Sequence, residues 1–203
     1  MTDQDTARLV GRPDYDAIAA CIRPNSSVLD LGCGDGVLLR FLKETRNIRG
    51  YGVELAAEKV TACVASGINV IQGNLEGGLA DFDSGSFDYV ILSLTLQAVQ
   101  RTAEIVNEML RVGREAIVTF PNFGHWPLRL QILRGGMPRS DDLPYEWYNT
   151  PNVHLCTITD FERFCADKEL HVLERIVLHE GERISFLPNL RGSLAVFRFE
   201  RGR

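Results

Sequence analysis

The architecture of this chain is set by the segment Val28-Leu29-Asp30-Leu31-Gly32-Cys33-Gly34-Asp35-Gly36. Apolar residues flank an acid, a glycine-rich turn follows, and residues 37–46 then contain three leucines and a phenylalanine. This pattern predicts a strand, a tight turn and a helix. Glycines adopt positive φ and let a ligand approach the backbone, while a new helix presents unpaired N–H groups. The turn is therefore a candidate site for a small polar ligand.

The charge beside the turn distinguishes between two classes of nucleotide ligand. Gly32, Gly34 and Gly36 follow a G-x-G-x-G pattern, which differs from the G-x-G-x-x-G spacing of dinucleotide sites. A buried Asp30 would repel a pyrophosphate and attract an amino group. Glu54 ends the next apolar run, 24 residues after Asp30, close to the spacing of roughly 20 at which an acid meets a ribose. We therefore expect a nucleoside with a cationic group, such as S-adenosylmethionine (SAM).

With these features, residues 14–120 resemble the class I SAM-dependent methyltransferases, whose hydrophobic-Asp-x-Gly-x-Gly-x-Gly motif the turn matches. The resemblance implies SAM, or S-adenosylhomocysteine, as cofactor. It also implies a doubly wound, mostly parallel, Rossmann-like α/β sheet. Residues 170–178 and 193–200 alternate or run apolar and are expected to form a C-terminal antiparallel hairpin on that sheet.

The resemblance also assigns roles to individual residues. Asp30 orients the α-amino end of SAM, or alternatively only pins the turn through backbone N–H groups. Glu54 accepts hydrogen bonds from both ribose hydroxyls, or alternatively is a solvated charge. Asn74 stands where the family usually has an acid that accepts from the adenine amino group, and its side-chain oxygen can still accept. Leu75 and Leu94 are expected to enclose the adenine, or alternatively belong to the core.

Apolar periodicity predicts the other elements. Strands alternate with helices of ten to twelve residues, which is typical of a doubly wound α/β sheet. The run 89–94 is expected at the centre of the sheet, beside the glycine turn. Thr159 and Glu162 have the spacing of a capping box at the start of a helix. The further predicted helices and strands are 13–23, 56–66, 68–72, 102–112 and 115–120.

Length and composition limit the possible classes of protein. A chain of 203 residues predicts a flexible N-terminus over 1–12 and a single SAM-binding domain over 13–203. The net charge of -5 argues against non-specific nucleic-acid binding. The five cysteines lack C-x-x-C spacing and the histidines lack a helical i, i+4 pair, so no disulfide framework and no metal site is predicted. No signal-like or membrane-spanning apolar segment is found, which predicts a cytoplasmic protein.

Residues from about 121 to 157 form an insertion that contains both tryptophans and several prolines. Aromatic residues in such an insertion usually line a pocket or an interface, and a lid that only stabilises the sheet is the alternative. Its segments Phe120–Trp126, Leu143–Tyr148 and Asn149–Thr157 carry a closer resemblance. From about Arg12 to Glu180, the chain resembles the MetW family of methionine-biosynthesis proteins.

The MetW resemblance implies a bacterial, cytoplasmic protein that works with homoserine O-acyltransferase. Two hypotheses follow, and they differ in whether the chain is an enzyme. In the first, the chain is a SAM-binding partner or activator of the acyltransferase. In the second, it is a SAM-dependent methyltransferase acting on a small molecule, and a protonated acceptor then requires a general base. The candidates for that base are His125, Tyr145, Tyr148 and His154. The segment 93–97 lacks the Asn/Asp-Pro-Pro-aromatic motif of nitrogen methyltransferases, which favours the first hypothesis.

Overall fold

A computed structural model describes residues 12–202, which form one eight-stranded sheet with helices on both faces. The predicted flexible N-terminus, 1–12, lies outside the described residues except for Arg12. The strands are β1 (Ser27–Leu31), β2 (Arg49–Glu54), β3 (Asn69–Gln72), β4 (Phe87–Ser93), β5 (Gly113–Pro121), β6 (Leu170–His179), β7 (Glu182–Arg183) and β8 (Leu194–Arg201). The helices are α1 (Pro13–Cys21), α2 (Val37–Arg46), α3 (Ala57–Ala65), α4 (Thr102–Val112), α5 (Trp126–Leu133), α6 (Ile158–Asp167) and α7 (Pro188–Arg191), with 3-10 turns at Leu75–Gly77 and Leu96–Ala98.

The sheet has the strand order β3-β2-β1-β4-β5-β8-β6-β7. All pairings among β1 to β5 are parallel, and β8 inserts antiparallel between β5 and β6. This confirms the predicted doubly wound, mostly parallel α/β sheet with antiparallel C-terminal strands. No helix within residues 12–202 is both long enough and apolar enough to cross a membrane.

Strand β4 shows why its sequence is continuously apolar. Tyr89 and Ile91 point to one face, where they belong to a core cluster with residues of α1, α2 and α3. Val90 and Leu92 point to the other face and pack with residues of α4 and α6. A strand covered by helices on both faces has no solvent-facing positions, so alternation is lost. The predicted central position of this strand, next to β1, is confirmed.

Helix α6 begins two residues earlier than the predicted capping box, so that prediction is wrong. The N-cap is Thr157, whose hydroxyl accepts from the Asp160 N–H at 3.2 Å while the Asp160 carboxylate accepts from the Thr157 N–H at 3.1 Å. Thr159 lies inside the first turn, and its hydroxyl accepts from the side-chain amide of Asn189 at 2.9 Å instead of capping the helix. Phe161 of this helix packs in the core, with its ring 4.8 to 5.9 Å from aromatic rings of β5 and β8.

The parallel strands place their C-terminal ends along one edge of the sheet, where open α/β sheets bind ligands. Asp30 is the penultimate residue of β1, Glu54 ends β2, and Asn74 follows β3 by two residues. These polar residues, which are far apart in sequence, therefore meet beside the glycine turn.

Candidate functional site

The glycine turn after β1 has a backbone conformation that disfavours other residues. Gly32, Gly34 and Gly36 have φ of +72°, +59° and +78°, and Gly36 is the N-cap of α2. A Cβ on Gly32 would lie 3.0 Å from Oγ1 of Thr95, so Gly32 is also needed for packing. A Cβ on Gly34 would meet no atom of the described residues within 4 Å. The Gly34 backbone therefore faces open space into which a ligand can fit.

Asp30 is a buried carboxylate with unused hydrogen-bonding capacity. Its side chain is 2% exposed, and Oδ1 has no hydrogen-bond partner among residues 12–202. Burial raises the pKa of Asp30 from 3.8 to about 7, against the attraction of Arg12, and repulsion from Glu54 adds to the rise. No backbone N–H therefore pins Oδ1 in the way that the alternative prediction required. Such a carboxylate can accept a hydrogen bond from an ammonium group, which would stabilise its ionised form.

Arg12 brings positive charge to the same place, and no motif or periodic pattern in the sequence indicates this. Its guanidinium donates to both oxygens of Asp14, at 3.0 and 2.5 Å, and lies 4.5 Å from the centre of the Tyr15 ring. Arg12 also acts on Asp30 electrostatically. Carboxylate and guanidinium thus lie near each other at the end of β1, an arrangement that suits a zwitterionic amino-acid group.

Glu54 holds the turn and the start of the next loop together. It is 8% exposed, so it is not the freely solvated charge of the alternative prediction. Its Oε2 accepts from the Gly34 N–H at 2.9 Å, and its Oε1 accepts from the N–H groups of Leu55 and Ala56, both at 2.9 Å. A carboxylate offers about four lone-pair sites. One site is therefore left for a ligand hydroxyl.

A cavity of about 330 Å³ opens beside these residues. It lies within the range of roughly 300–1,000 Å³ typical of small-molecule sites. Of the predicted binding residues, the cavity is lined by Gly32, Glu54, Asn74 and Leu75. It is also lined by residues that were not predicted, among them Leu55, Lys59, Thr95, Ala98 and Val99. Because an acid, a cation and apolar side chains converge there, the cavity can take a polar ligand that carries an apolar ring.

The predicted adenine contacts are only partly brought together. Leu75 lines the cavity. The Asn74 side-chain oxygen accepts from the Glu76 N–H at 3.0 Å, which caps the 3-10 turn and leaves one lone pair for a ligand. Leu94 lies outside this cavity, has a φ of +50°, and packs against the core cluster on the α1–α3 side of the sheet.

The four candidate general bases do not converge on the cavity. His125 is 6% exposed and lies in a separate cavity next to His179. Tyr145 and Tyr148 are 48% and 70% exposed. His154 has its Nε2 3.0 Å from the carbonyl oxygen of Gln100. The described part of the chain also contains no group of three His, Cys, Asp or Glu residues arranged to hold a metal ion.

The insertion, residues 121–157, connects the cavity rim with an exposed surface. The N–H groups of Val153 and His154 both donate to the carbonyl oxygen of Gln97, at 2.8 and 3.0 Å, and Gln97 lies within the 3-10 turn whose Ala98 lines the cavity. Further out, Trp147 and Leu133 are 72% and 83% exposed. The insertion therefore contacts the rim of the cavity with one segment and presents apolar side chains to solvent with others.

Comparison with known proteins identifies the family. Residues 12–199 match the model of the family "Methionine biosynthesis protein MetW". A Rhodopirellula baltica protein, "Bifunctional methionine biosynthesis protein MetXA/MetW", is 39% identical over 202 residues, covering 93% of this chain and 32% of its own length. The chain thus spans about a third of that relative.

Solved structures show the same fold at much lower identity. An S-adenosylmethionine-dependent methyltransferase from Mesorhizobium loti matches with a TM-score of 0.70 and 15% identity over 95% of this chain and 100% of its own. A SAM-dependent methyltransferase from Aquifex aeolicus matches with a TM-score of 0.63 and 13% identity over 98% of both chains. Together with the family match, which covers nearly all of the described residues, these findings show that the chain belongs to the MetW family of methionine-biosynthesis proteins and has the class I methyltransferase fold.

Proposed function

We propose that this chain binds SAM in the cavity beside the glycine turn and acts in the bacterial cytoplasm as a partner or activator of homoserine O-acyltransferase. The observation that carries the partner role is the exposed aromatic surface of the insertion. The SAM-binding role rests on the geometry of Asp30, Gly34 and Glu54.

The cavity and the residues next to it together match the chemical groups of SAM: Glu54, Leu75 and Val99 line the cavity, whereas Asp30 and Arg12 lie outside its lining. The orphaned Oδ1 of Asp30 suits the α-ammonium, and the guanidinium of Arg12 suits the α-carboxylate. Glu54 retains a lone pair for a ribose hydroxyl. Leu75 and Val99 supply apolar surface for the adenine ring. When bound, SAM would bring a methyl group on a sulfonium or serve as a regulatory signal.

The partner role is supported by the chemistry of the exposed surface. Trp147 and Tyr148 are more than two-thirds exposed and stack edge to face at 5.8 Å, and Leu133 and Met137 are also exposed. Aromatic residues and methionine are enriched in protein interfaces, and large exposed apolar patches usually mark interaction sites. The Rhodopirellula baltica relative carries MetXA and MetW in one chain. We take its MetXA part to be the acyltransferase that this surface contacts.

The partner role can be tested by mixing the purified chain with homoserine O-acyltransferase at micromolar concentration. The two proteins are expected to co-elute in size-exclusion chromatography. The double variant Trp147→Ser, Tyr148→Ser is expected to lose the complex, because exposed aromatic residues dominate binding energy at interfaces. Tyr51→Ser is a matched control, since Tyr51 is 43% exposed on β2, outside the insertion. Separate elution of the parent proteins would reject the partner role.

An activity measurement then separates binding from regulation. Acyl transfer to homoserine is measured with the acyltransferase alone, with this chain, and with this chain plus SAM. A rise on adding the chain is expected, and a further SAM-dependent change would make the cavity a regulatory site. If half of the SAM effect is reached at the same SAM concentration in the Asp30→Asn variant as in the parent, the nucleotide acts elsewhere.

A second candidate function is methyl transfer to a small molecule, and the cavity itself favours it. Methyl transfer is an in-line displacement that depends mainly on alignment and exclusion of water. The exposure of Tyr145 and Tyr148 and the pairing of His154 with a backbone carbonyl leave the cavity without a convergent base among the four candidates. The test is transfer of a labelled methyl group from SAM to metabolites of a cell extract. Absence of labelled product despite confirmed SAM binding would argue against this function.

A further inference from the structure

A second cavity, of about 230 Å³, lies at the same edge of the sheet and is distinct from the one beside the glycine turn. Among the described residues, the two cavities have no lining residue in common. The second cavity lies between the end of β6, the start of β8 and the insertion. Its polar lining side chains are His125, Ser140, Asp141, Asp142, His179, Glu180 and Ser193.

Two histidines in this cavity have buried nitrogen atoms that lack partners. The imidazole rings of His125 and His179 are 4.7 Å apart and inclined by 60°. Neither Nε2 of His125 nor Nδ1 of His179 has a hydrogen-bond partner within residues 12–202. His125 is only 6% exposed, so water access does not offset this loss. A buried imidazole nitrogen without a partner is costly, which points to a ligand that completes these contacts.

The charge of the cavity restricts what that ligand can be. Three carboxylates, of Asp141, Asp142 and Glu180, line it, and its lining includes no lysine or arginine from the part of the chain that the structure describes. Burial and the neighbouring His179 lower the pKa of His125, which disfavours a positive charge on this imidazole beside the acids. A ligand with a carboxylate or phosphate would be repelled, whereas an ammonium group would be attracted.

We propose that this cavity binds a small amino alcohol, whose ammonium group pairs with Asp141 and Asp142 and whose hydroxyl group bonds the imidazoles of His125 and His179. A hydroxyl has one donor hydrogen and two acceptor lone pairs, so it can donate to one of the two orphaned nitrogens and accept from the other when that one carries the proton. The volume is below the roughly 300–1,000 Å³ of sites for drug-sized ligands, so the ligand has few non-hydrogen atoms. The proposed site shares no described lining residue with the cavity that we assign to SAM.

The test uses the four histidines of the chain as internal reporters. The Cε1–H signals of all four are followed by NMR at constant pH and ionic strength while 3-aminopropan-1-ol is added. The signals of His125 and His179 are expected to shift with saturation, and those of His154 and His171 are expected to stay in place. Propane-1,3-diol, which lacks the ammonium, and 3-hydroxypropanoate, which is an anion, are expected to bind at least about tenfold more weakly.

Two variants separate the site from effects on folding. Asp142→Asn, which neutralises a carboxylate in an exposed loop position, is expected to weaken 3-aminopropan-1-ol binding about tenfold or more. His125→Gln is expected to abolish the shift of the His179 Cε1–H signal on addition of 3-aminopropan-1-ol. His154→Gln, which is expected to leave that shift unchanged, is the matched control. No shift at His125 and His179, equal shifts with all three probes, or full affinity in Asp142→Asn would each overturn the proposal.

Discussion

Replacing Asp30 by asparagine is expected to make the protein more stable and, at the same time, a poorer ligand binder. The two side chains have nearly the same shape, but asparagine is neutral at every pH. Asp30 is 2% exposed, its Oδ1 has no hydrogen-bond partner among the described residues, and burial raises its pKa to about 7. At pH 8 the free protein therefore has to bury an ionised carboxylate, a cost that the variant avoids.

The magnitude follows from the difference between the folded-state pKa, about 7, and the ordinary value, 3.8. Because the folded state holds the proton more tightly, the free energy of unfolding of the parent falls as pH rises between these two pKa values, and it is level above the higher one. Each pH unit within the window is worth about 1.4 kcal/mol. The free energy of unfolding of Asp30→Asn, relative to the parent, should therefore increase by about 3 kcal/mol between pH 5 and pH 8.

The assay is urea unfolding of both proteins at pH 5, 6, 7 and 8, with linear extrapolation to water. Asp81→Asn, which removes a charge from an exposed loop, controls for the change in net charge. SAM binding is measured in parallel by calorimetry at pH 8, where the loss of one charge-assisted hydrogen bond, about 1.5–3 kcal/mol, should weaken binding by roughly 10- to 150-fold.

A stability difference that stays constant from pH 5 to pH 8 would refute the reasoning about the buried charge. Unchanged SAM affinity in a correctly folded variant would refute the assignment of Asp30 to the ligand. The two results are independent, because stability is measured without ligand.

Three other substitutions probe the neighbourhood of the site and the core. Gly34→Val is expected to abolish SAM binding measured by calorimetry, because the side chain would enter the open space at the turn. Gly67→Val controls for backbone strain, since Gly67 also has a positive φ and no described atom within 4 Å of an added Cβ. Equal SAM affinity in the two variants would contradict the assignment. Glu54→Gln should lower the free energy of unfolding by about 1–3 kcal/mol, because one amide oxygen cannot serve three N–H groups; an unchanged urea midpoint would contradict this. Phe161→Ala should cost about 3–5 kcal/mol in the same assay, because its ring packs against β5 and β8; a loss below about 1 kcal/mol would show that the core repacks.

The proposed roles of the cavity and of the insertion can be coupled through a short segment of backbone. Gln97 accepts hydrogen bonds from Val153 and His154 of the insertion and belongs to the 3-10 turn whose Ala98 lines the cavity. If SAM orders this turn, the hydrogen bonds of Gln97 would therefore also order the segment of the insertion that contains Val153 and His154. If the insertion contacts the acyltransferase, these hydrogen bonds link the turn at the nucleotide cavity to the segment that carries the partner surface.

The local sequence pattern was sufficient to predict the α/β architecture and to place Asp30 and Glu54 at the carboxyl edge of the sheet. Strand β1, the glycine turn and α2 follow one another within twenty residues, so apolar runs and glycines report on them directly. Asp30 and Glu54 were found because each lies at or next to the end of an apolar run, and parallel strands bring such ends to one edge. The segments that resemble the MetW family could also be recognised from the sequence, because each consists of contiguous residues.

Contacts between segments that are distant in sequence could not be predicted from local sequence patterns. Arg12 acts on Asp30, His125 packs against His179, and Leu94 turns away from the cavity. None of these relations has a periodic signature, because each depends on how two separately formed elements cross and on which way a side chain points after a turn. The periodicity of apolar residues predicts which face of a helix or strand is buried. Which residue of another element covers that face, and therefore which charges lie near a given side chain, is decided only when the whole chain packs.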